Sequence, residues 1–146
     1  MTYQHLLVAI SNADESEPLL QKAQALAKIF GAQLSLSHAV PFVVTESVGE
    51  MPITPALEIT EDLQRASQAM LKTLCEKHGI DPGRAYVSIG GASDEILRIA
   101  AEVGADLIIV GHSPRHGLIS FLFGHTESSV VSHSKCDVLA VMLPAA

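Results

Sequence analysis

Basic residues are scarce in this chain. Nine Lys and Arg stand against sixteen Asp and Glu, a formal net charge of −7. General nucleic-acid binding, which is driven by basic side chains neutralising phosphates, is excluded on that count. A small anionic ligand is not, because backbone N–H groups at a helix start hold anions without many cations. Cysteine is nearly absent too. Cys75 and Cys136 are the two in the chain and form no CxxC pair. Each reads as a reduced thiol, and a disulfide is not expected in a reducing compartment. Long apolar runs are missing. LIIV and VLAVML are strand-length and too short to span a bilayer. The first residues, MTYQHLLVAISNADES, lack the basic n-region, the h-region and the small-residue cleavage site of a signal peptide. A cytoplasmic protein is expected. No repeat and no low-complexity tract is visible.

Several kinds of chemistry are missing as well. GASDE (91–95) opens a helix after a strand but has neither the Walker A nor the G-x-G-x-x-G pattern. There is no G-x-S-x-G elbow, so a triad built from Ser11, His38 or His125 and Asp106 has no support in spacing. Seven histidines are many for this length, and His112, His116, His125 and His133 cluster late. They lack standard ligand spacing with each other or with Cys and carboxylates, so no metal site and no catalytic residue is assigned. The late histidines read instead as loop chemistry beside Arg115, helping with an anion or titrating with pH. His38 reads as a structural histidine.

What the chain has is 146 residues, 48% of them hydrophobic, arranged in alternating segments. That suits a single domain with a proper core. HLLVAI (5–10) reads as a strand buried on both faces. SNADES is a loop, with Ser16 as N-cap and Pro18 in or near the first turn. Leu19, Ala23, Leu26 and Phe30 then recur at helical spacing, and Gly31 ends that helix. AQLSLSHAV (32–40) is the second strand. Residues 41–56, with Pro41, Gly49, Pro52 and Pro55, form a long irregular loop. Leu63, Ala66, Met70 and Leu74 mark the inward face of a second helix, ending near Gly79. After the turn DPG (81–83), AYVSI (85–89) is the third strand. Gly90 and Gly91 follow it, and Ser93 caps the helix DEILRIAAEV. DLIIV (106–110) is the fourth strand, residues 126–134 a fourth helix, and DVLAVML (137–143) a fifth strand. Strict alternation implies a parallel sheet with right-handed crossovers and helices on both faces. Ligands in such sheets sit beyond the strand C-termini, where strand order reverses. Ile10, Ala39 and Val110 mark that rim, and VGHSPRHGLISFLFGHTESSVV (110–131) lies on it.

Five segments carry a resemblance: HLLVAIS, LSLSHAV, ADLIIVGH, GLISFLFGHTESSVV and KCDVLAVML. Together they resemble the universal stress protein family over nearly the whole chain, a single domain spanning 1–146. The resemblance implies one open five-stranded parallel sheet, flavodoxin-like or adenine nucleotide alpha hydrolase-like, with strand order 3-2-1-4-5. It also implies a role in stress response and a homodimer that pairs the C-terminal strand with its copy.

Nucleotide-binding members of that family carry G-x2-G-x9-G-(S/T) after the fourth strand. Glycines let the backbone approach phosphate oxygens, and the last pair opens a helix whose free N–H groups suit an anion. Gly111 and Gly124 match the outer glycines. The second glycine position holds Pro114, which removes a donor and fixes φ. The Ser/Thr position holds His125, with Thr126 next. At the first strand such members resemble V-D-x-S, whose Asp contacts the nucleoside. Here Ile10 is followed by Ser11, with Asp14 out of register. Ala39 matches a position whose backbone meets the adenine. The resemblance thus implies a nucleotide site of Ile10, Ser11, Ala39, Gly111, His112, Arg115, Gly124, His125 and Thr126, taking ATP or another adenine nucleotide with Mg. It leaves two alternatives open: a nucleotide-free stress-response module acting through protein partners, and a slow ATPase.

Overall fold

The computed structural model of the chain describes residues 2–41, 54–112 and 129–144. Five strands, β1 (His5–Ala9), β2 (Gln33–Val40), β3 (Ala85–Ile89), β4 (Leu107–His112) and β5 (Asp137–Met142), form one parallel sheet in the order β3-β2-β1-β4-β5. Among the described residues three α-helices connect them: α1 (Ala13–Phe30), α2 (Thr54–His78) and α3 (Ala92–Val103). Residues 129–133 add a helical turn before β5.

β1 and β4 are apolar because both of their faces are covered. Alternation divides them cleanly. Leu6 and Val8 of β1 and Leu34 and Leu36 of β2 pack with Leu19, Leu20 and Ala23 of α1 and Leu71, Leu74 and Cys75 of α2. Leu7, Ile108 and Val110 turn the other way, onto Ile96, Ile99 and Ala100 of α3 and onto Val130. Leu19 and Ala23 are buried as their spacing predicts, and Gly31 closes α1 in the left-handed region with φ 64°.

The helix starts differ from the sequence reading. Asn12, not Ser16, caps α1: its side-chain oxygen accepts from the Glu15 N–H at 2.9 Å. Ser16 lies inside the helix and donates its hydroxyl back to the Ala13 carbonyl at 2.7 Å, and Pro18 sits within the helix as well. The signal was there, since Asn12 with Glu15 three residues on has the spacing of a capping box. Likewise Gly91 stands at the N-cap of α3, without a side-chain cap, and Ser93 falls within the helix. Helix α2 begins at Thr54, inside the stretch read as loop, and residues 42–53 lie outside the described residues.

Its inward face also differs. Leu63 is 41% exposed and Ala66 is exposed, whereas Leu71, Leu74 and Cys75 are buried. Tracing that buried line back by helical steps reaches Ser67, Gln64 and the buried Thr60. The sheet-facing stripe is polar in its first half. The apolar Leu63 and Ala66 lie one position off it, so hydrophobic spacing misplaced the first half of the face, while Leu74 and the half-buried Met70 lie on the core as predicted.

At the far end from the rim, Asp106 ties β1 to β4. Its carboxylate accepts from the N–H groups of Gln4 at 2.9 Å and His5 at 3.0 Å, and its own N–H donates to the His5 carbonyl at 3.0 Å. Burial pushes this carboxyl up. The backbone donors of Gln4 and His5 outweigh it and hold the group below the ordinary aspartate value. Asp106→Ala is expected to cost about 1–3 kcal/mol in urea unfolding at pH 7. A folded-state value below the unfolded one means the contribution is complete above the ordinary carboxylate range and fades as pH falls. The stability gap between wild type and variant is therefore expected to narrow below about pH 4, and a constant gap would contradict the assignment.

Candidate functional site at the strand C-termini

The strand order reverses between β1 and β4, whose crossovers leave in opposite directions along the sheet. The C-terminal ends of β1, β2 and β4 meet there. Ile10, just past β1, is 3% exposed and extends the ladder, its N–H donating to the Ser37 carbonyl at 2.8 Å. Its own carbonyl accepts from Nδ1 of His38 at 2.7 Å. Because a carbonyl only accepts, the hydrogen sits on Nδ1 of the half-buried ring. His38 is thus the structural histidine the sequence suggested, and it fixes the strand end from which Ser11 projects.

Ser11 is exposed, and its hydroxyl donates to Oε2 of Glu15 at 3.3 Å. A carboxylate therefore stands at this corner after all, supplied from the first turn of α1. Attention to the strand-end position alone missed it. Ala39, half-buried on β2, pairs with Ser88 of β3.

Gly111 lies within β4, opposite Val141 of β5. A Cβ there would stand 2.8 Å from Cδ1 of Leu143 and 3.6 Å from Cδ2 of Leu19. Its φ is not in the left-handed region, the positive-φ glycines among the described residues being Gly31, Gly79, Gly90 and Gly104. The missing side chain lets Leu143 and Leu19 close over the end of β4. That packing reason for the glycine is independent of any phosphate. His112 is half-buried, and its carbonyl accepts from the Leu143 N–H at 2.7 Å.

Five of the nine sequence-predicted site residues are thereby placed at one end of the sheet: Ile10, Ser11, Ala39, Gly111 and His112. The other four, Arg115, Gly124, His125 and Thr126, lie outside the described residues, as do Pro114 and His116. Among the described residues no three His, Cys, Asp or Glu side chains gather as a metal site would need. Chemically, the described part of the rim offers a hydroxyl, a carboxylate and backbone groups, which suit recognition by hydrogen bonding.

The universal stress protein family profile matches residues 2–142. Universal stress protein A homolog 2 of Coxiella burnetii is 32% identical over 142 residues, which cover 97% of this chain and 96% of that protein. A crystal structure of a universal stress protein in complex with cAMP is 25% identical with a TM-score of 0.56, covering 97% of this chain and 98% of that one. A putative universal stress protein from Pseudomonas aeruginosa UCBPP-PA14 shares the fold at 22% identity with a TM-score of 0.70 over 97% of this chain. The present chain spans about half of that Pseudomonas protein, 48% of its length. With the profile, the Coxiella relative and the strand order in agreement, the chain belongs to the universal stress protein family.

Proposed function

We propose that this chain acts in stress response as a one-domain binding module of the cytoplasm, taking an adenine nucleotide with Mg at the strand C-termini and working as a homodimer. The observation that carries the nucleotide reading is the convergence of Ile10, Ser11, Ala39, Gly111 and His112 at the reversal of strand order. Open α/β sheets bind ligands at that place. The relative solved with cAMP supports the ligand class. In this reading Ser11 and Glu15 meet the hydroxyl or amino groups of the nucleoside. The phosphates lie over the segment after Gly111, held by Arg115, Gly124, His125 and Thr126.

A second reading rests on Gly111. The space beside its Cα is taken by Leu143 and Leu19, and the Ile10 carbonyl is already used by His38. Together with Pro114 and His125 in place of the motif residues, this favours a rim that keeps the form of a nucleotide site and works through protein partners without nucleotide. We assign no reaction to the chain, a slow ATPase being the enzymatic alternative.

Dimerisation through β5 is supported by its position. It is the outer strand beside β4, with Ala140 exposed and Met142 64% exposed, and Val131 nearby in sequence is 56% exposed. A strand edge of this kind needs cover. A second copy supplies it by a two-fold axis. No helix among the described residues is long and apolar enough to cross a membrane.

Thermal unfolding of the purified protein with and without millimolar Mg-ATP tests the first reading. Ligand at about a hundredfold excess over Kd adds about 2.7 kcal/mol, a rise of several degrees. No rise and no co-purified nucleotide favours the second reading, and phosphate release above a site-variant control favours the ATPase. The triple variant Ser11→Asp, Pro114→Gly, His125→Ser is expected to bind Mg-ATP more tightly by tenfold or more, since each restored contact contributes about 1 kcal/mol. Unchanged affinity in calorimetry contradicts the roles given to those three positions. Met142→Glu places like charges near a two-fold axis and is expected to shift sedimentation equilibrium from dimer to monomer. A dimer of unchanged affinity removes β5 from the interface.

A further inference from the structure

β3 is an edge strand, and its outer side has no strand partner among the described residues. Its sequence AYVSI holds no charge and no proline, and its pairing with β2 runs from Ala85 to Ile89 without a bulge. Charge, proline and bulge, three of the devices that blunt a strand edge, are thus all missing from it. The Gly90 N–H donates to the Val40 carbonyl at 2.9 Å, which fixes the alternation along β3. Tyr86 and Ser88 direct their backbone groups to β2, and Ala85, Val87 and Ile89 direct theirs outwards. The Ala85 N–H is taken by the Pro82 carbonyl. The Ala85 carbonyl, both groups of Val87 and the Ile89 N–H remain for a strand lying alongside.

A cleft of about 350 Å³ runs along this edge, between Gln68, Leu71 and Lys72 of α2 and the first half of β3. Its floor is apolar: Leu71 is buried, and Ala85 and Val87 pack against the same core. Its margin is polar. Gln68 and Lys72 are exposed one turn apart on α2, and neither makes a hydrogen bond or ion pair among the described residues. Glu76 follows one turn later without neutralising Lys72, and Asp81 is turned onto the Gly83 N–H at 2.9 Å. Among the described residues Lys72 is the one charge lining the cleft, in a chain of net charge −7.

We propose that β3 and this cleft form a docking site for an extended, acidic segment of a partner protein, added to the sheet as a further strand. Backbone hydrogen bonds supply the affinity, and alternate side chains supply the choice of partner. Every second side chain of the added strand turns towards α2. One of them, of valine size, enters the cleft over Leu71, Ala85 and Val87. The next on that face is a carboxylate and meets the Lys72 ammonium. A basic segment is rejected by the same charge. The cleft flanks the N-terminal half of β3, away from the rim, so the site stands whether or not the rim takes a nucleotide. It is also on the opposite edge from β5, and a dimer through β5 leaves it open in both copies.

The test uses the end-blocked peptide Glu-Thr-Val-Thr-Glu, whose valine and carboxylates share one face in either strand direction. It is titrated into the 15N-labelled full chain and followed by amide NMR. Saturable shifts are expected at Gln68, Lys72, Val87 and Ile89, with slowed solvent exchange at the Val87 and Ile89 amides. Lys72→Glu is expected to weaken binding by about fivefold or more. The same peptide with methylated amide nitrogens keeps its charges but loses the strand hydrogen bonds, and is expected not to bind. Lys-Thr-Val-Thr-Lys is expected not to bind either. No shift up to about 1 mM peptide overturns the proposal. Equal binding of the methylated peptide overturns it too, since charge attraction alone then explains the contact. Protection of Val87 and Ile89 that grows with protein concentration in the absence of peptide gives the edge to a second copy, and overturns it as well.

Discussion

Burial of the central strands on both faces is the constraint from which the rest follows. Leu6, Leu7 and Val8 leave no polar position in the middle of β1, and Ile108 and Ile109 leave none in β4. In β1 and β4 polar chemistry is therefore pushed to the strand ends, whereas β2 buries Ser35 and Ser37. At the N-terminal end it becomes the Asp106 tie, a structural feature. At the C-terminal end, where helices leave in opposite directions, it becomes a rim of backbone groups with Ser11, Glu15 and His38 around it. The same constraint sets the edges. β3 and β5 are the edge strands, and β5 also exposes Ala140 and Met142.

The pattern that bears on burial was legible in the sequence, and the pattern that depends on single hydrogen bonds was less so. HLLVAI and DLIIV announce buried strands because no other element tolerates such runs between polar stops. Gly31 and Gly104 announce helix ends because only glycine enters the left-handed region freely, and both do so, at φ 64° and 71°. Caps are harder. SNADES offers several oxygen-bearing side chains within two turns, and composition does not say which of them meets a free N–H. Helix α2 shows the limit of hydrophobic spacing, for its sheet-facing line passes through Thr60, Gln64 and Ser67 before it turns apolar. At the rim, five predicted residues converge because topology alone requires it. What position-matching could not show was that Glu15 reaches back to Ser11, or that Leu143 fills the space beside Gly111, since both are contacts between segments.

The two readings of the rim differ in what the glycine is for. A phosphate cradle and a packing niche make the same demand on residue 111, namely no side chain. Family membership does not separate them, because the fold is common to both and function resides in the grafted site. The separation lies in the residues around it. Ser11, Pro114 and His125 change the donors a nucleotide would meet, while Glu15 returns a carboxylate to the corner.

Leu143 joins the rim to the outer strand of the sheet. It follows directly on the outermost strand. Its side chain lies over Gly111, and its N–H holds the carbonyl of His112. Leu143 is itself part of the core, so the end of β5 and the rim share one buried residue. In the proposed reading, a ligand at the rim and a second copy at the edge would both bear on this one residue.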